Sequence, residues 1–189
     1  MIGKIILASQ SPRRKQLLEW AEIEFEIMVS HSDESYPENL TAAEIAIHIA
    51  KNKALAIKEK HQTLFPILAA DTIVVCDNEI IGKPADTKEA ILTIKKLSGK
   101  THQVITGVCL MDEQKERSFS DITEVSFHEL TDEQIQFYVE KYQPFDKAGA
   151  YAIQEWIGVV GIKSIKGDFY NVMGLPVSRV VQELAHFYS

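Results

Sequence analysis

Two arginines occupy a helix start where positive charge is unfavourable. Ser11 is a good N-cap and Pro12 suits the first helical position, so Arg13 and Arg14 fall in the first turn. The N-terminus of a helix carries partial positive charge and prefers acidic neighbours. An anion bound there would reverse this cost, because backbone N–H groups and two guanidinium groups would converge on it. The alternative is that the arginines are solvated or paired with distant acids.

A lysine lies on the apolar side of the longest predicted helix. This helix spans 42–60 and opens with Thr41 and Glu44 in capping-box spacing. At about 100° per residue, Lys53 falls within the arc of buried apolar side chains. Such a lysine must snorkel, pair with an acid or point into a cleft.

An aspartate interrupts an apolar run that is typical of a buried strand. Asp71 lies within 67–76, and aspartate is depleted in strands. It either belongs to a structural hydrogen-bond network or does chemistry at a bend in the strand. Lys83 follows between Gly82 and Pro84, where a rigid turn could hold an ammonium group over a cleft or could simply be a turn.

The elements that must position these residues alternate between strand and helix. The sequence predicts a mixed twisted sheet flanked by helices, arranged in two lobes as a single domain over 1–189. The predicted strands are 2–8, 24–30, 67–76, 79–82, 103–111, 117–130 and 159–165. The predicted helices are 12–22, 42–60, 87–98, one that opens at Thr131 and one that follows Pro176, and a polar loop spans 31–40.

Composition limits the classes of partner. The chain has 189 residues and a net charge of −7, which argues against nucleic-acid polymers as partners but not against a small anionic substrate. No apolar run is long enough for a membrane helix, so no membrane partner is expected. Cys76 and Cys109 lie in apolar runs, which favours reduced thiols and a cytoplasmic location. The common glycine-rich phosphate-binding motifs are absent, so a phosphate site must be assembled from separate loops.

Five short segments follow one another along the chain. They are Leu-Ala-Ser-Gln-Ser-Pro-Arg-Arg at 7–14, Ala-Asp-Thr at 70–72, Gly-Lys-Pro at 82–84, Lys-Ala-Gly-Ala-Tyr-Ala-Ile-Gln at 147–154 and Asn-Val-Met-Gly-Leu-Pro at 171–176. Together they resemble the Maf family of nucleoside triphosphate pyrophosphatases. The likeness covers nearly the whole chain, and the order of the segments makes it highly specific.

The resemblance implies a Maf/ITPase-like fold with a central cleft, and hydrolysis of a nucleoside triphosphate to the monophosphate and pyrophosphate. Asp71 would accept a proton, while Arg13, Thr72 and Gln154 would influence substrate choice. The segment that ends at Gln154 looks like the branch that acts on dTTP and UTP. One departure bears on the base-side specificity: Glu155 and Trp156 follow Gln154, where many relatives carry a glycine.

The resemblance also suggests how the triphosphate is held. A divalent cation, Mg²⁺ or Mn²⁺, would be bound by Asp71 and by Glu34 as the candidate second carboxylate, because oxygen ligands suit these metals. For Glu34 the alternative is a solvated loop acid. The residues expected to bind phosphate are Ser9, Arg13, Arg14, Lys53 and Lys83.

Two other functions stay open at this point. A non-enzymatic, nucleotide-binding regulator of cell division on the same fold would need the cations but not the strand aspartate. An enzyme with the same reaction could instead prefer CTP or modified pyrimidine nucleotides. The resemblance further suggests a homodimer.

Overall fold

A computed structural model describes residues 3–29 and 32–188 of the chain. Its seven strands form one mixed sheet in the order β2-β1-β3-β5-β6-β7, with β4 paired to β3. β1 pairs in parallel with β2 and β3, whereas the β3–β4 and β6–β7 pairs are antiparallel. The strands are β1 Ile5–Leu7, β2 Phe25–Ile27, β3 Ile67–Cys76, β4 Glu79–Ile81, β5 Thr101–Met111, β6 Glu116–Phe127 and β7 Ile162–Lys166.

In the described residues seven α-helices accompany the sheet, which confirms the predicted mixed α/β class. They are α1 Pro12–Trp20, α2 Ala42–Lys60, α3 Thr87–Leu97, α4 Asp132–Tyr142, α5 Trp156–Gly161, α6 Phe169–Met173 and α7 Val177–Phe187, and a 3₁₀ turn spans Ala148–Ala150. Within the described ranges, no helix is long and apolar enough to cross a membrane.

The chain divides into two units, and three strands contribute residues to both. Unit 1 comprises Met1–Thr72, Thr106–Asp121 and Gly174–Ser189, and unit 2 comprises Ile73–Ile105 and Ile122–Met173. The boundaries fall inside β3, β5 and β6, so each of these strands begins in one unit and ends in the other.

In unit 1, α2 packs its small residues against the sheet. The Thr41 hydroxyl accepts from the Glu44 backbone N–H, and the Glu44 carboxylate accepts from the Thr41 backbone N–H, which fixes the helix start. Ala50 and Ala54 are fully buried in one cluster with residues of β1, β3 and β5. Gly107 of β5 permits this close approach, because a Cβ there would lie 2.2 Å from the Ala46 carbonyl carbon.

In unit 2, α3 packs against α4 and the 3₁₀ turn. Asp86 caps α3 by accepting from the Glu89 backbone N–H at 2.8 Å, and Gly99 follows the helix end with φ at +71°. These are the start and stop signals that the sequence carries for this helix.

The predicted elements agree with the structure in type except near residue 159. The helix at 42–60 and the strand at 67–76 are confirmed, but the strand predicted at 159–165 is wrong at its start, because 156–161 is helical and β7 begins at Ile162. The ends of other elements differ by up to three residues, as at the strand predicted over 117–130, which ends at Phe127. Ile2 of the first predicted strand, Ser30 of the second and His31 of the predicted polar loop lie outside the described residues.

Candidate functional site

The start of α1 has the charge arrangement that the sequence predicts. The Ser11 hydroxyl accepts from the Arg14 backbone N–H at 3.5 Å, Pro12 opens the helix, and the first turn contains no acidic residue. Arg13 is partly exposed, whereas Arg14 is buried. Of the two neighbouring arginines, the side chain of Arg13 is therefore more accessible to solvent than that of Arg14.

Arg14 is the centre of a buried hydrogen-bond network in unit 1. Its Nε donates to the Gly174 carbonyl at 2.8 Å, its Nη1 to Ser9 Oγ at 3.1 Å and its Nη2 to Thr72 Oγ1 at 3.0 Å. Burial lowers the pKa of Arg14, and the negative charges of Asp71 and Glu34 oppose this shift. The guanidinium thus holds the ends of β1 and α1 to β3 and to the segment before α7.

Thr72 connects this network to β5. Its Oγ1 lies 2.9 Å from Thr106 Oγ1 and 3.4 Å from the Gly174 carbonyl oxygen, and the Thr106 side chain is fully buried. Thr106 and the Gly174 carbonyl are not among the residues predicted from the sequence. The only sign of Thr106 there is a threonine inside the apolar run 103–111, which is weak. In the structure, Gly174 has a φ of +115°, a backbone conformation that suits glycine.

Lys53, Asp71 and Glu34 form a charged cluster next to Thr72. The Lys53 ammonium lies 2.6 Å from Asp71 Oδ1 and 2.9 Å from Glu34 Oε1. The Lys53 and Asp71 side chains are 19% and 16% exposed, whereas Glu34 is 56% exposed. Of the three arrangements expected for a lysine on the apolar side of this helix, Lys53 therefore adopts the pairing with acids. Both predicted carboxylates lie beside its ammonium group.

The donor set of this cluster suits a hard divalent cation. Asp71 and Glu34 converge on a single positive group, and Mg²⁺ is commonly bound by one or two carboxylates together with substrate phosphates. Among residues 3–29 and 32–188, no group of three His, Cys, Asp or Glu side chains is placed to hold a metal ion. Oxygen atoms of water and of a bound substrate would complete the coordination of such an ion.

Lys83 and Gln154 belong to unit 2 and are both exposed. The turn that carries Lys83 is tied to the 3₁₀ turn, since the Gly149 N–H donates to the Gly82 carbonyl at 3.1 Å. The structure thus places seven of the predicted residues in unit 1 and these two in unit 2. The seven are Ser9, Arg13, Arg14, Glu34, Lys53, Asp71 and Thr72.

The segment that carries Gln154 is fixed by polar contacts at both ends. Lys147 Nζ lies 3.6 Å from Glu155 Oε1, and the Tyr138 hydroxyl donates to Glu155 Oε2 while it accepts from the Ala152 N–H at 3.1 Å. Glu155, which departs from the pattern of many relatives, is therefore part of the local framework. The sequence analysis did not find Tyr138, because helix α4 lies outside the recognised segments.

His102, Tyr151 and Phe127 form an aromatic cluster inside unit 2. The His102 Nε2 lies 2.7 Å from the Tyr151 hydroxyl, and the three rings meet edge to face with centroids 5.0–5.4 Å apart. Burial lowers the pKa of His102 to about 4 and raises that of Tyr151. Both side chains are therefore uncharged at neutral pH.

A family model described as Maf-like protein matches residues 4–187. A dTTP/UTP pyrophosphatase from Cytophaga hutchinsonii is 53% identical over 188 residues, which cover 98% of this chain and 84% of that protein. Proteins of the same name from Parabacteroides distasonis and Phocaeicola vulgatus are 49% and 51% identical, over 97% and 96% of this chain and 96% and 94% of those proteins. A solved HAM1 protein from Coxiella burnetii covers 66% of this chain and 73% of its own, at a TM-score of 0.44 and 19% identity.

Proposed function

This chain belongs to the Maf family, and on that premise we propose that it is a nucleoside triphosphate pyrophosphatase that hydrolyses dTTP and UTP to the monophosphate and pyrophosphate. The observation that carries the proposal is the partly buried Asp71 carboxylate, held 2.6 Å from Lys53 and one residue from Thr72 of the Arg14 network. The name shared by relatives about 50% identical supports the choice of substrate.

In the proposed reaction, water attacks the α-phosphorus of the nucleotide. A bond forms between the water oxygen and this phosphorus, and the bond from the phosphorus to the oxygen that bridges to the β-phosphate breaks. Asp71 accepts the proton of the attacking water, and pyrophosphate leaves with the bridging oxygen. Lys53 positions the carboxylate through the ion pair described above.

Positive groups and hydroxyls would bind the triphosphate. Ser9, Arg13, Lys53 and Lys83 are proposed to contact phosphate oxygens, since charge-assisted hydrogen bonds to phosphate are among the stronger ones. Arg14, which is also predicted from the sequence to bind phosphate, already donates to three protein acceptors in the buried network.

Thr72 and Gln154, together with Arg13, are proposed to influence substrate choice. Amide and hydroxyl groups can pair with the edge of a pyrimidine, and a site built for one base edge disfavours others because its polar groups would be left unpaired. Preference for CTP or modified pyrimidine nucleotides is the nearest competing outcome.

A panel of nucleotides tests this proposal. Purified protein with Mg²⁺ or Mn²⁺ is expected to release pyrophosphate from dTTP and UTP faster than from CTP, modified pyrimidine nucleotides, ATP and GTP. Faster release from CTP or from a modified pyrimidine would change the substrate but keep the reaction. Stoichiometric binding without turnover would instead favour a nucleotide-binding regulator of cell division, and it would contradict the proposed function.

A divalent cation is proposed as a cofactor, held by Asp71 and Glu34 as the donor set above suggests. When bound, it would offset the charge that develops on the phosphate oxygens. Treatment with a chelator should abolish pyrophosphate release, and added Mg²⁺ or Mn²⁺ should restore it. Undiminished turnover in excess chelator would contradict a metal requirement.

We also propose a cytoplasmic location. Cys76 and Cys109 are both buried free thiols, which suits a protein of a reducing compartment.

A further inference from the structure

The Ser9 hydroxyl has both of its acceptor positions filled. Ser9 Oγ accepts from the Ser11 backbone N–H at 3.2 Å and from Arg14 Nη1 at 3.1 Å. A serine hydroxyl offers two lone pairs and one hydrogen, so this hydroxyl can only act as a donor toward any further group. Among the described residues, this hydroxyl donates no hydrogen bond.

Arg14 is poorly placed to bind a ligand itself. Arg14 is as buried as Ser9, since each is 8% exposed, but its Nε, Nη1 and Nη2 atoms already donate three of the five N–H groups of the guanidinium to protein acceptors. The three acceptors are a carbonyl and two hydroxyls, so its hydrogen-bond partners are neutral. A guanidinium held in this way fixes its neighbours rather than reaching for a substrate.

The position of Ser9 is suited to an anion. It follows β1 and lies two residues before the N-cap of α1, the nine-residue helix whose first turn contains no acid. Pro12 has no N–H and the Arg14 N–H donates to Ser11 Oγ, but the partial positive charge at a helix start still favours an anion. The donor-only hydroxyl of Ser9, next to this helix start, supplies a hydrogen-bond donor for such a ligand.

We propose that Arg14 is a positioning residue and not a phosphate ligand: by filling an acceptor position of Ser9 it directs the Ser9 hydroxyl hydrogen to a phosphate oxygen of the substrate. The same guanidinium donates to Thr72, so one side chain orients a phosphate-binding hydroxyl and a residue of the predicted specificity set. The identity of the ligand rests on the proposed function, but the donor-only state of Ser9 rests on the hydrogen bonds alone.

Calorimetric titration with inorganic tripolyphosphate in the presence of Mg²⁺ tests this role without turnover. Ser9→Ala should weaken binding by about tenfold, the range expected for a hydrogen bond to a charged group. Arg14→Gln should weaken it by a similar factor. The double variant should lose distinctly less than the product of the two factors, because Arg14 acts through Ser9.

Lys15→Gln is the matched control, since it removes one positive charge from the exposed side of the same helix. It should leave tripolyphosphate affinity unchanged. Arg14→Lys separates charge from geometry, because one ammonium cannot reproduce the planar fork that reaches Ser9, Thr72 and Gly174. Under the proposal, Arg14→Lys binds tripolyphosphate as weakly as Arg14→Gln does. If Arg14 instead contacted the phosphate directly, Arg14→Lys would keep much of the wild-type affinity.

Three results would overturn the proposal. These are unchanged affinity in Ser9→Ala, a double variant that loses the full product, or Arg14→Lys with near-normal affinity. If thermal unfolding shows that the Arg14 variants are not folded, the titration of Ser9→Ala alone still decides whether the Ser9 hydroxyl donates to the anion. Failure of the proposed function looks different: tripolyphosphate would bind with the expected pattern while no nucleotide is hydrolysed.

Discussion

Asp71 is the residue on which the proposed chemistry depends most. Its carboxylate lies in β3 with 16% of the side chain exposed, and Lys53 holds one oxygen. We predict that Asp71→Asn lowers the rate of pyrophosphate release by roughly 10²–10⁴-fold, the usual contribution of a general base. The rate with dTTP and the thermal unfolding of the same preparation are the two measurements.

Asp77→Asn provides the control for this substitution. Asp77 follows the same strand, is exposed and pairs with Lys100 at 2.6 Å, so the amide replaces a carboxylate outside the proposed site. This variant should stay folded, because an exposed ion pair contributes little to the free energy of unfolding, and it should keep its rate of pyrophosphate release. Equal activity of the Asp71 and Asp77 variants would exclude Asp71 as the base.

His102 gives a prediction about pH. Its pKa is lowered by burial from 6.5 to about 4, so the unfolded chain binds a proton at a higher pH than the folded chain. Above pH 6.5 the histidine is neutral in both states and the free energy of unfolding does not depend on it. As the pH falls from 6.5 toward 4, the unfolded chain takes up the proton first, so the free energy of unfolding decreases by roughly 3 kcal/mol in total.

Urea unfolding of the wild type and of His102→Gln across this pH range measures the effect. The difference in unfolding free energy between the two proteins should shrink as the pH falls from 6.5 to 4, because only the wild type has the buried histidine. Parallel curves for the two proteins over this range would show that His102 does not titrate as its burial indicates.

At the level of residues, the sequence predicts those features that break a local pattern. Asp71 and Lys53 were found because a charge interrupts an apolar strand or an apolar helical arc. The burial of Arg14 could not be predicted in the same way. Two of its three acceptors, Gly174 and Thr72, lie 160 and 58 residues away in the chain, and only the tertiary structure brings them to Arg14.

Helix α2 is the element that positions Lys53, and Gly107 sets how closely it approaches β5. A Cβ at this position would lie 2.2 Å from the Ala46 carbonyl carbon and 2.3 Å from the Ile47 nitrogen, which are backbone atoms that cannot rotate away. We predict that Gly107→Ala lowers the unfolding free energy by about 1–3 kcal/mol or more and shifts Lys53 away from Asp71. Denaturant unfolding and the rate of pyrophosphate release measure the two effects.

Gly82→Ala is the matched comparison. A Cβ there has no heavy atom within 4 Å, so this variant should unfold within about 0.5 kcal/mol of the wild type. If both alanine variants are equally stable, the close packing of α2 against Gly107 is not a constraint on the fold.

Elements with defined ends are the ones that sequence predicts well. The capping box at Thr41 and Glu44 and the loss of the helical pattern after Lys60 fix α2 to the residue. The segment 156–161 was predicted in part as strand, because a short apolar run of Ile, Val and Gly has no period long enough to distinguish a buried helix from a strand.

For the whole molecule, the net charge of −7 describes the surface rather than the site. Unit 1 holds Arg13, Arg14 and Lys53 near the carboxylates of Asp71 and Glu34. The charge of this group is therefore positive, whereas the charge of the whole chain is negative. We expect this arrangement to disfavour extended polyanions and to accept one small anion together with the divalent cation proposed above. The predicted contributions of Lys83 and Gln154, in unit 2, remain predictions.

The proposed attack of water on the α-phosphorus of dTTP or UTP can be checked by hydrolysis in ¹⁸O-labelled water. Mass spectrometry of the products should find the label in the nucleoside monophosphate and none in the pyrophosphate, and Asp71→Asn should form these products at the strongly lowered rate given above. Label in the pyrophosphate, or release of inorganic phosphate with a nucleoside diphosphate, would show that water attacks another phosphorus.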